Sequence, residues 1–174
     1  MKNVARFTLG VAAAGLMLLS CGRAEAQDAA PAPANGLVAQ RSVSLTMAKT
    51  IAEAAMKACQ AKGYHTSVAV VDRAGQVLVI MRDEQATAQT AEMARRKAYT
   101  ARAFNSTTLD FQKRTTDPGY AAQRDLTDIL ALGGGVPIRV GNEAVGGVAS
   151  AGSTQEQDDA CAKAGIASVA DQLK

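Results

Sequence analysis

The chain has 174 residues, 19 lysines and arginines against 16 aspartates and glutamates, three cysteines and a single histidine. One histidine rules out chemistry built on several, and the small net charge of +3 leaves no broad basic surface of the kind nucleic acids select. From the first residue onward, Lys2 and Arg6 precede an uncharged stretch, Phe7–Ser20, which falls short of the roughly 18–20 apolar residues that span a bilayer. It has the length of a signal-peptide core, and Ala24-Glu25-Ala26 supplies the small-x-small pattern read by a signal peptidase, with cleavage before Gln27. Leu18-Leu19-Ser20-Cys21 also resembles a bacterial lipobox, which would lipidate Cys21 and anchor the protein to a membrane. Both processing routes predict an extracytoplasmic domain, periplasmic or secreted. Loss of residues 1–26 removes three basic residues and one acidic one, so the remainder is almost neutral.

Residues 27–43 alternate Ala and Pro and contain Asn35-Gly36, a composition that reads as a disordered tether. The folded domain is expected over 44–174, about 130 residues, enough for one core. Leu45, Ala48, Ala52, Ala55 and Cys59 recur at helical spacing and predict a helix over 44–62, with Ser44 as N-cap and Gly63 as stop. Ser67–Asp72 reads as a buried strand, a turn follows at Arg73-Ala74-Gly75-Gln76, and VLVIMR returns as its partner. A second helix is expected over 86–104, with Ala91, Ala94, Ala98 and Ala101 on the side that lies close to a sheet. Residues 106–113 predict a short helical turn, and 125–131 are compatible with either helix or extended chain. A second hairpin is expected at Val136–Val140 and Ala144–Ser150 across Gly141-Asn142. A closing helix follows over 154–173, capped by Thr154. The order α-β-β-α-α-β-β-α with hairpin connections predicts an α+β fold, an antiparallel sheet of about four to five strands with helices packed on it.

Cys59 and Cys161 sit in similar settings, CQAKG and CAKAG, one near the end of the first helix and one in the last. In an oxidising compartment they are expected to pair. No arrangement of residues points to catalysis, and one histidine with two distant cysteines does not make a zinc site. The densest cationic cluster, Arg95-Arg96-Lys97, precedes Tyr99 and Thr100. Helical spacing puts Arg96, Tyr99 and Thr100 near one face, where an arginine could grip a carboxylate and so hold an anionic ligand. His65 is the one histidine available as a ligand. Gly133-Gly134-Gly135 matches no phosphate loop and reads as a sharp turn.

The segments SVAVVDRAGQVLVIMRDEQA, ARRKAYTARAF, LGGGVPIRVGNEAVGGVASAG and DDACAKAGI, in this order, resemble the GlcG/HbpS-like haem-binding family from about Leu45 to the C-terminus. The resemblance implies a small domain that forms dimers or larger homo-oligomers and, in some members, binds haem or a related tetrapyrrole. Many relatives carry Gly-Pro-His-Thr after the second strand; here that place reads Ala86-Thr87-Ala88-Gln89-Thr90, without the histidine. Three functions follow as expectations. The first is a non-enzymatic haem carrier that binds at Arg95, Arg96, Lys97, Tyr99 and Thr100, with His65 as a possible axial ligand. The second is an accessory protein of a periplasmic oxidoreductase or sensor, without haem. The third is weak haem degradation.

Overall fold

A computed structural model describes residues 36–174, of which 40–174 form one compact unit. The signal segment, Cys21 and residues 27–35 of the tether lie outside the described residues. The elements are α1 (Leu45–Gln60), β1 (Ser67–Val71), β2 (Val77–Arg82), α2 (Gln89–Phe104), α3 (Thr108–Arg114), β3 (Gly135–Val140), β4 (Glu143–Ala151) and α4 (Gln155–Ala167). Short 3-10 segments lie between α3 and β3 at Ala121–Asp125 and after α4 at Ala170–Gln172. The four strands form one antiparallel sheet in the order β2-β1-β4-β3, so the expected α+β fold is what the chain adopts.

The two sheet faces are built differently. On one, α1 and α4 cover Val68, Val70, Val136, Ile138 and Val148, together with Ile51, Ala55 and Ala162 of the helices. On the other, α2 lies on Ala69, Val71, Ala149 and Ala151 through Ala94 and Ala98. These small side chains let the α2 backbone come down onto the sheet. Gly147 of β4 takes the approach furthest, because a Cβ there would collide with the carbonyl oxygen of Ala98. The central strand β1 is buried throughout, which explains its unbroken apolar run.

Local chemistry sets the helix ends. Ser44 Oγ accepts from the Met47 amide and Thr154 Oγ1 from the Gln157 amide, each at 3.2 Å. α2 begins three residues later than the apolar spacing suggests. Asp83 holds residues 83–86 in a turn, through its carbonyl to the Ala86 amide and its carboxylate to the Gln85 amide. α4 ends at Ala167 and is followed by the 3-10 segment, so the closing helix is shorter than its periodicity implies. Residues 126–131 form neither helix nor strand, and tertiary contacts described below hold them. Val43 is 5% exposed and its amide donates to Val145, so the chain is already seated on β4 before α1 begins.

Cys59 and Cys161 form a disulfide with a Cα–Cα distance of 5.5 Å, joining α1 to α4 across 102 residues.

Candidate functional site

α2 carries every residue of the cationic cluster, but its geometry separates them. Successive helical residues point about 100° apart, so Arg95, Arg96 and Lys97 cannot share a face. Lys97 points inward and is 1% exposed. Its Nζ donates to Asp158 Oδ2 at 3.0 Å and to the Ser150 carbonyl at 3.1 Å. Asp158 is itself 2% exposed. Burial pushes the Lys97 ammonium below its ordinary pKa, and the Asp158 carboxylate beside it opposes that shift. Gly134, at φ +121°, makes room for the pair: a Cβ there would lie 2.9 Å from Lys97 Nζ and 2.7 Å from Asp158 Cβ. The glycine triplet thus serves close packing as well as turning.

Arg95, Arg96 and Tyr99 remain on the outer side of α2. Arg95 is held above its usual pKa by hydrogen bonds to Glu92 and to Asp128, at 2.8 and 2.6 Å. Arg96 Nη2 donates to the Ile129 carbonyl at 2.6 Å, while its buried Nε has no hydrogen-bond partner. Thr100 is fully buried beneath them. Its hydroxyl donates to the Arg96 carbonyl at 2.8 Å and accepts the Leu130 amide at 2.9 Å, so it fastens the 126–130 loop to the helix. Arg95, Arg96 and Thr100 together fix that loop as one wall of the face.

The other wall is the β1–β2 turn. The Tyr99 ring covers Gly75, where a Cβ would lie 2.7 Å from two ring carbons. Gly75 has φ +80°, so glycine serves both the turn and the contact. Tyr99 lines a cleft of about 210 Å³ with Arg73, Gly75, Arg102 and Ala103. A larger cleft of about 420 Å³ shares Arg73, Ala74 and Arg102 and adds Gln40, Ser42 and Asp72. Arg102 Nε donates to the Arg73 carbonyl, and the Arg73 guanidinium pairs with Glu143. Arg73 and Arg102 give no local sequence signal for this role, since 29 residues separate them.

His65 lies elsewhere, before β1, at the opposite end of that strand from the turn under Tyr99. Its Nδ1 lies 3.1 Å from Asp83 Oδ1. A hydrogen bond from Gln60, then one from the Gln85 amide and the contact with His65, lower the Asp83 carboxyl to a pKa of about 2. A lowered carboxylate stabilises the fold above its unfolded value near 4 and loses that contribution as pH falls toward 2. Asp83→Asn is therefore expected to flatten the acid limb of the stability curve between about pH 4 and pH 2. An acid titration followed by circular dichroism measures this, and an unchanged limb would show that Asp83 is not an acid-sensitive tie.

The outer face of α2 offers a cation with a spare donor and a phenol. Arg96 has an unused buried donor, and Tyr99 presents a half-buried phenol among arginines. Thr100, with its hydroxyl committed, shapes this face from below; Lys97 and His65 do not reach it.

Among known proteins, residues 43–167 match the family model described as haem degrading protein HbpS-like. A solved double Glu-to-Asp variant of Streptomyces reticuli HbpS is 37% identical, with a TM-score of 0.73 over 80% of this chain and 96% of that one. The solved PduOC:heme complex is 25% identical, with a TM-score of 0.65 over 72% of this chain and 94% of that one. An uncharacterised 15.0 kDa protein from the dhaT–dhaS intergenic region of Citrobacter freundii is 28% identical over 123 residues, 67% of this chain and 84% of that protein. With the family model covering almost the whole folded unit, the chain belongs to the HbpS-like family.

Proposed function

We propose that this protein binds haem, or a related anionic tetrapyrrole, on the outer face of α2 and acts as an extracytoplasmic carrier. The observation that carries the reading is the Arg96 side chain, whose Nε is buried without a hydrogen-bond partner beside the half-buried Tyr99. A propionate would satisfy that donor, and planar guanidinium groups suit carboxylates. Arg73 and Arg102 extend the positive surface on the far side of Tyr99. Tyrosine is an established axial ligand for haem iron, and Tyr99 is the oxygen ligand this face offers. The solved haem complex of a PduOC relative supports the ligand class.

The cleft under Tyr99, about 210 Å³, is smaller than the roughly 300–1,000 Å³ of enclosing ligand pockets. The α2 face therefore serves as a platform, and a second copy of the chain would complete the enclosure. The edge strand β2, with Val77 and Ile80 each 43% exposed, supports self-association. Export is supported by the Cys59–Cys161 bridge, which persists in oxidising compartments, and by the signal-like N-terminal pattern.

Haem breakdown is a second reading, favoured by the description of the matching family. Iron would supply the oxidative chemistry, while the chain's own residues would hold the macrocycle and its propionates. The test is a haemin titration followed by absorbance and size-exclusion chromatography. A saturable, shifted Soret band is expected to co-elute with an oligomer, and Arg96→Ala should weaken binding about three- to tenfold. A featureless titration would overturn the carrier reading in favour of a haem-free accessory protein. Loss of the band on adding peroxide or a reductant would establish degradation.

A further inference from the structure

Arg73 stands where the binding face meets the start of the folded chain. It lines both clefts beside Tyr99, and its side chain is 25% exposed, so a ligand can reach it. Yet its Nη1 already donates to Glu143 Oε1. Glu143 opens β4 with its side chain 36% exposed, and its other oxygen accepts from Arg41 Nη2 at 2.6 Å. One carboxylate therefore sits between two arginines, of which only Arg73 lines the clefts. We propose, on the basis of the binding reading above, that Glu143 is a built-in competitor for the ligand carboxylate. It holds Arg73 while the face is empty and keeps Arg41 alone when a ligand carboxylate takes Arg73.

The exchange leaves no charge unpaired. Without ligand, Glu143 pairs with both arginines. With ligand, Arg73 meets the new carboxylate and Glu143 stays with Arg41. Both members of the Arg73–Glu143 pair are partly exposed, and ion pairs in contact with water are weakly held, so a second carboxylate competes on near-equal terms. The Arg73 backbone does not have to move. Its amide donates to Ser42 Oγ at 3.1 Å and its carbonyl accepts Arg102 Nε, so the guanidinium can turn on a fixed base. A planar guanidinium then meets a carboxylate through two parallel hydrogen bonds. Asp72 also lines the larger cleft, but Arg73 and Arg102 outnumber it, and its Oδ1 accepts the Gln76 amide at 2.8 Å.

Glu143→Gln removes the competitor and should tighten porphyrin binding about threefold, the range of one partly exposed ion pair. Arg41→Gln leaves Arg73 as the remaining partner of Glu143 and should weaken binding about twofold. In the Glu143→Gln background, Arg41→Gln should change nothing, because Arg41 acts through Glu143.

The test titrates haemin, read by absorbance, and metal-free protoporphyrin IX, read by fluorescence, into the parent protein, the two single variants and the double variant. Protoporphyrin dimethyl ester, which lacks the carboxylates, should bind all four equally. Strictly additive effects of the two substitutions would reduce them to the summed field of surface charges and overturn the proposal, as would an equal gain for the ester. A shifted Soret band with the same haemin affinity in the parent and Glu143→Gln would overturn the competitor and leave the haem reading standing. Protoporphyrin affinities in the expected order, with no Soret shift from haemin, would support the competitor and remove iron ligation by Tyr99. If neither porphyrin binds the parent or Glu143→Gln, the competitor and the haem reading fall together.

Discussion

Lys97→Met is expected to destabilise the domain by about 3–5 kcal/mol, because it leaves the buried Asp158 carboxylate without its cation. Lys97 and Asp158 are 1% and 2% exposed, so water cannot take over the missing interaction. The carboxylate would keep the Ser153 amide at 3.1 Å and the Ser153 hydroxyl at 2.7 Å, and these partners keep the cost from rising further. Adding Asp158→Leu to Lys97→Met should recover most of the loss, since removing both charges avoids the uncompensated one. Recovery would be incomplete by about 1–2 kcal/mol, because Ser153 would lose its acceptor. Urea unfolding of the four members of the cycle measures the coupling. A cost below about 1 kcal/mol for Lys97→Met would show that solvent reaches the pair and that α2 and α4 are not tied through it.

Lys97 also shows how much of the site was legible beforehand. It is one helical step from the Ala94, Ala98 and Ala101 stripe, so its inward direction is encoded in the same spacing that identifies the helix. Reading Arg95-Arg96-Lys97 as a charge run hides this, because consecutive residues occupy different faces. The partner was not legible. Asp158 lies 61 residues away and, in sequence, looks like an acidic residue complementing the start of α4. The same contrast holds for the fold. β1 and α1 follow from local patterns, and Cys59 and Cys161 from their matching surroundings. The 126–131 segment does not, since Arg95, Arg96 and Thr100 set its path from another element and Asp128 takes φ +67°. Arg73 and Arg102 likewise meet only because the β1–β2 turn folds against α2.

Replacing both cysteines, Cys59→Ala with Cys161→Ala, is expected to cost about 3–5 kcal/mol, the second of the two large effects. A crosslink spanning 102 residues restricts the unfolded chain strongly, and the chain-entropy model gives about 4.7 kcal/mol for a loop near this length. The native helices do not depend on the bond for their contact. Gly165 lets α4 approach the Ile51 carbonyl of α1, and Ile51, Ala55 and Ala162 share one core. The variant should therefore fold to the same structure and melt lower, by about 10–20 °C for a domain of this size. Dithiothreitol should lower the melting temperature of the parent protein by a similar amount and leave the variant unmoved. That second comparison separates the crosslink from mere loss of two buried side chains, which thiol would not mimic. Equal melting of parent protein with and without thiol would mean that the cysteines are unpaired, and with that the strongest structural support for an oxidising compartment would go. A large shift would instead make the stability of the α1–α4 layer conditional on export, because a chain kept among reducing thiols would lack several kcal/mol of a total that rarely exceeds about 15.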